Sequence, residues 1–173
     1  MYAKHLLYLS WLTKCQRVRA ILSVGGWTGS QYFSSAVATD ANRTAFAKAI
    51  MGVVSQYNLD GVEFECALQS IFHSFSCSQI RSWEYPGKQG IGCNVVSAND
   101  STNFLSFLQT LREQDGAQNL ILSTAVAITP YVGSDGTPMS DVSGFANVLD
   151  YIGPPSPAFL FCSPLFDDIT QRS

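Results

Sequence analysis

Glu63 and Glu65 stand two residues apart in the stretch LDGVEFE, residues 59–65. On a strand, alternate side chains share a face, so the two carboxyls point the same way and a residue two further on would join them. Three carboxyls on one wall repel one another, and burial raises their pKa values. One of them can then hold a proton near neutral pH and act as a general acid toward a leaving oxygen. The plainer reading of EFE alone is a pair of glutamates facing water. The pattern stops at Cys66 and resumes at Trp83-Glu84-Tyr85-Pro86, after a Ser/Phe/Cys-rich stretch with neither helical nor strand periodicity.

The elements that would carry these residues alternate. RVRAILSVGGW, residues 17–27, reads as a buried strand running into a glycine turn, with Val18, Ala20, Ile21, Leu22 and Val24 apolar almost without a break. Thr39 or Asp40 then caps a crossover helix whose inward stripe is Phe46, Ala49, Ile50, Val53, Val54 and Tyr57. Residues 59–65 form the next strand. A second helix follows in NDSTNFLSFLQTLREQDG, with Phe104, Leu105, Phe107, Leu108 and Leu111 inward and Gly116 closing it. NLILSTAVAI is a third apolar strand, and PMSDVSGFANVLDYI a short helix leading to the stub of a fourth. Strands apolar throughout, alternating with helices, predict right-handed crossovers and a parallel sheet, an α/β fold.

At 173 residues and 46% apolar composition, the chain has the material for one domain with a sizeable core. Charged residues make up 13%, about half the usual share, and the net charge of −3 offers no basic face to nucleic acid. No apolar run reaches the roughly 20 residues that span a bilayer. The five cysteines, Cys15, Cys66, Cys77, Cys93 and Cys162, contain no C-x-x-C pair, and neither histidine has metal-ligand spacing, so no metal or cofactor is expected. The basic, briefly apolar start MYAKHLLYLSWLTKC lacks a small-residue cleavage site, and the sequons at Asn42 and Asn99 are weak signs of secretion.

Two motifs together give the chain a relative. Ser23-Val24-Gly25-Gly26 and, one helix later, Asp60-Gly61-Val62-Glu63-Phe64 with Trp83-Glu84-Tyr85-Pro86 resemble glycoside hydrolase family 18, the chitinase family, and its fungal members most. The resemblance covers residues 18–56, 59–64 and 83–152. It implies a partial (β/α)8 TIM barrel of about three to four of the eight β/α units, and hydrolysis of chitin by a substrate-assisted, retaining route in which the N-acetyl carbonyl is the nucleophile. Carried onto this chain, Glu84 is the general acid, Asp60 and Glu63 are carboxyls supporting it, and Glu65 stands where an aspartate would orient the N-acetyl group. Ser23, Gly25, Gly26, Trp27, Trp83 and Tyr85 would line the substrate. The expected partner is chitin or a chitooligosaccharide, outside the cell for a full-length parent, with self-association through unpaired sheet edges.

The break within the motif has an explanation at the level of codons. Direct continuation of the strand puts Ala67 at the acid position and Cys66 at the Trp position. Glu65-Cys66 can be written GAG-TGY and Ser82 AGY. An intron beginning GT and ending AG would then leave GA and Y, which join as an Asp codon. The expectation is that residues 66–81 are translated intron, whose removal restores D-G-V-E-F-D-W-E-Y-P. Residues 66–82 are accordingly expected to be an aberrant insert and 153–173 an aberrant tail of a single incomplete catalytic domain, which also starts too late for the family's first two strands.

Overall fold

The structure is a computed structural model, and it describes residues 19–25, 30–65, 95–126 and 131–153, with Glu65 described by its backbone alone. Four parallel strands form one sheet in chain order: β1 (Ile21–Gly25), β2 (Gly61–Glu65), β3 (Ile121–Ala125) and β4 (Tyr151–Gly153). Helices α1 (Phe33–Val37) and α2 (Asp40–Tyr57) connect β1 to β2. Helix α3 (Asp100–Arg112) and a 3-10 turn (Ala117–Asn119) lead into β3, and α4 (Ser143–Ala146) leads into β4. This is the alternating parallel α/β order expected from the sequence, and it matches part of a TIM barrel.

The first crossover helix begins where its cap predicts. Thr39 has an extended backbone, and its side chain accepts from the Asn42 N–H. It ends at Asn58, which takes the left-handed conformation at φ 50°. Its buried residues are Ala47, Ile50 and Val54, whereas Ala49 is exposed, so the inward stripe sits slightly round from the expected one. The cause is helix α1, which lies against α2 and draws Phe46 toward Phe33, with ring centroids 5.8 Å apart.

The two faces of the sheet differ by strand parity. Val62, Phe64, Leu122 and Thr124 are buried toward the helices. There Phe64 meets Phe104 and Phe107 edge-on, at 5.8 and 5.4 Å, and Phe107 stacks on Phe46 at 4.8 Å. Tyr131 stacks on Phe145 at 3.8 Å and shares a buried hydrogen bond with Thr124. These aromatic contacts join α2, α3 and α4 to one side of the sheet. Strands β2 and β3 also approach closely at their lower ends: a Cβ on Gly61 would lie 2.5 Å from the Ile121 carbonyl oxygen, so no larger residue fits without moving a strand. In the loop before α4, the Asp135 and Asp141 carboxyls are held below the ordinary carboxylate range, chiefly by the backbone N–H groups of Thr137 and Ser143.

All five cysteines and both histidines lie outside the described residues, as do 66–82 and 154–173. Among the described residues, no group of side chains could hold a metal ion, and no helix is long and apolar enough to cross a membrane.

Candidate active site

The opposite face of the sheet is laid out in rows, because parallel register sets residues of one parity side by side. Ile21, Gly61 and Ile121 form the lowest row. Above it, Ser23, Glu63 and Ser123 pair across β1, β2 and β3, and Ser123 pairs onward with Tyr151 of β4. The third row, at the carboxyl ends of the strands, is Gly25, Glu65, Ala125 and Gly153. The middle row is therefore a half-buried carboxylate between two hydroxyl-bearing residues. A hydroxyl can donate to a carboxylate or accept from a carboxylic acid, so the row can hold Glu63 in either state.

The strand ends give the upper row its shape. Gly25 closes β1 at φ 117°, a conformation that side-chain-bearing residues rarely take, and turns the backbone out of the sheet there. Glu65 stands in register with Gly25 and Ala125, and the position two residues further on, where the acid of the resembled motif would stand, lies outside the described residues.

Among the predicted site residues, Ser23 and Glu63 come together in the middle row, and Gly25 and Glu65 in the upper one. Gly26, Trp27, Trp83, Glu84 and Tyr85 lie outside the described residues. Ser123 was not anticipated. Its signal is the alternation within ILSTA, which gives it the parity of Glu63 once the register is known.

Asp60 lies apart from these rows. It precedes β2 at the amino end and has the opposite parity from Glu63, about 16 Å along the strand from Glu65 at roughly 3.3 Å per residue. Its carboxyl instead accepts from the Ala20 N–H at 2.8 Å, while its own N–H donates to the Ala20 carbonyl and its carbonyl accepts from the Ile121 N–H. Asp150 repeats the device one residue before β4, accepting from the Leu122 N–H at 2.8 Å and from Arg112. Each aspartate thus satisfies a backbone donor at the start of the neighbouring strand. Asp60→Ala is expected to lose about 1 kcal/mol of stability in chemical denaturation, with Asp60→Asn losing less because its amide oxygen can still accept. An unchanged midpoint in Asp60→Ala would contradict this assignment.

A parallel sheet with helices packed on one face and a serine-flanked carboxylate on the other defines a piece of an α/β barrel whose site lies at the carboxyl ends of the strands. Residues 8–154 match the family described as Glycosyl hydrolases family 18, and the chain belongs to that family. A chitinase-like effector of Moniliophthora roreri is 44% identical over 135 residues, covering 78% of this chain and 28% of the relative. Chitinase A1 of Niallia circulans is 28% identical over 137 residues, covering 78% of this chain and 17% of its own. Among solved structures, a chitinase from Rhizomucor miehei superposes with a TM-score of 0.71 at 29% identity, over 86% of this chain and 36% of that one. The chain therefore spans about a third or less of the length of the relatives it matches.

Proposed function

We propose that the chain carries part of the carboxylate wall of a chitin-hydrolysing barrel, and that in its present form it engages N-acetylglucosamine oligomers without cleaving them. The observation that carries the reading is the Glu63 row set beside the sequence that follows it: Glu63 stands between Ser23 and Ser123, yet Glu65 is followed by Cys66-Ala67 where the motif has Trp-Glu. In an intact motif, Glu84 would protonate the glycosidic oxygen and the residue now read as Glu65 would orient the N-acetyl group. Trp27, Trp83 and Tyr85 would contact sugar rings, with Ser23, Gly25 and Gly26 shaping the wall.

Residues 66–81 are, on this reading, translated intron, and they hold the acid away from its row in the sequence. Retained binding without turnover is favoured by the relatives in Moniliophthora, both described as chitinase-like effectors rather than chitinases, at 44% and 39% identity. Ile152, 42% exposed on β4, the outer strand among the described residues, supports self-association as a second consequence. The test is turnover of a fluorogenic chitooligosaccharide by the chain and by Glu84→Gln, run beside retention on a chitin column.

A further inference from the structure

Two Asn-x-Ser/Thr triplets, Asn42-Arg43-Thr44 and Asn99-Asp100-Ser101, take no part in the carboxylate row. Both fall among the described residues, and both asparagines are exposed. Asn42 lies in the first turn of α2, where its backbone N–H donates to the Thr39 hydroxyl and its Nδ2 donates to the Ser35 carbonyl of α1 at 2.8 Å. Asn99 directly precedes α3, and its side chain makes no capping bond to that helix.

The second triplet is divided between water and core. Asp100 is buried, accepting from the Ser34 hydroxyl at 2.7 Å and the Ser97 N–H at 2.8 Å, and Ser101 is buried with its hydroxyl donating to the Val132 carbonyl at 2.6 Å. Of the three residues only Asn99 is exposed, so a bulky group on its amide leaves the packing untouched. In the first triplet, Arg43 donates to the Val37 carbonyl at 2.7 Å and Thr44 is half-buried. The Asn42 amide nitrogen carries two hydrogens, and the bond to Ser35 uses one. Both triplets border α1, through Ser35 and Ser34, in the helix layer across the sheet from the Glu63 row.

We propose that Asn42 and Asn99 are N-glycosylation sites, filled on passage through the secretory pathway, which place two glycans beside α1 and clear of the carboxylate row. The donor is a lipid-linked oligosaccharide diphosphate and the catalyst a membrane-bound oligosaccharyltransferase. Each Nδ2 attacks the anomeric carbon of the donor: an N–C bond forms, the C–O bond to the diphosphate breaks, the lipid diphosphate leaves with the electron pair, and one amide proton is released. Nothing is oxidised or reduced. The transfer needs the hydroxyl of the triplet as well as the amide, and in the folded chain the Ser101 hydroxyl is held by Val132. The glycan on Asn99 is therefore added before folding, and the folded chain accommodates it. The inference stands whether or not the carboxylate row engages saccharides.

The experiment is expression of the full chain behind a cleavable secretory leader in yeast, with lysate and medium both probed so that retained chain counts with secreted chain. Partial digestion with peptide N-glycosidase is expected to lower the apparent mass in two steps. Asn42→Gln and Asn99→Gln are each expected to lose one step, and the double variant both. Digestion of the unaltered chain in heavy-oxygen water is expected to leave labelled aspartate at positions 42 and 99, a reading that does not depend on how the variants fold. A mass unmoved by the enzyme overturns both sites, and label at one position alone overturns the other. Folded, leaderless chain incubated with the transferase and its donor is expected to stay unmodified at Asn99; modification there would contradict the order of transfer and folding.

Discussion

Incubated with a fluorogenic chitooligosaccharide, the chain is expected to release no fluorophore above background, and Glu84→Gln is expected to change nothing. The reason is positional. Glu65 is level with Gly25 and Ala125, and the residue that would stand one row higher in a continuous strand is Ala67, which has no proton to give. A general acid contributes about 10²–10⁴ to the rate, and a misplacement of about 1 Å costs on the order of a hundredfold. Glu84 is separated from Glu65 in sequence by the whole of residues 66–83, so its return to within that tolerance would require the insert to close without disturbing either end. The loop-closure entropy is small and grows slowly with length, so the argument rests on geometry and not on chain entropy. Turnover that disappears in Glu84→Gln would show an assembled acid and would overturn the inert assignment.

The largest stability effect is expected at Phe107. Its ring is fully buried, stacked on Phe46 of α2 at 4.8 Å and edge-on to Phe64 of β2 at 5.4 Å and 88°. Phe107→Ala removes the group common to α2, α3 and the sheet, and a phenylalanine-to-alanine change in a core costs about 3–5 kcal/mol, part transfer and part cavity. Against a usual domain stability of about 5–15 kcal/mol, that leaves little. Phe107→Leu keeps most of the volume and should lose less. Denaturation in guanidinium chloride measures both, and a loss below about 1 kcal/mol in Phe107→Ala would mean that the aromatic cluster does not hold the helices to the sheet. Tyr32→Ala, on the surface, should stay within about 0.5 kcal/mol in the same experiment.

How far the sequence revealed the fold depended on what was local. The cap at Thr39, the inward face of α3 and the parallel strand order are all written in spacing within a few residues, and each is found in the structure. Helix α1 was not legible, because five residues, Phe33–Val37, carry too few turns to show a period. Its presence also explains why Ala47 and not Ala49 faces inward on α2: which side of a helix is buried depends on a neighbour that periodicity does not name. The place of Asp60 was hidden for a related reason. A motif read as a string places its acidic residues together, whereas strand parity puts Asp60 opposite Glu63 and at the other end of the strand, where its carboxyl meets the Ala20 N–H. Ser123 was missed because its relation to Glu63 is a matter of register between strands separated by a helix, which no local pattern contains.

The interruption at Glu65 is the feature on which function turns, and its origin can be read in the transcript. The decisive measurement is sequencing of mature, polysome-bound RNA across codons 60 to 90. The intron reading predicts RNA lacking the last nucleotide of codon 65, codons 66 to 81 and the first two nucleotides of codon 82, so that the product reads D-G-V-E-F-D-W-E-Y-P and an active chitinase follows. Polysome-bound RNA that retains those nucleotides throughout would contradict it.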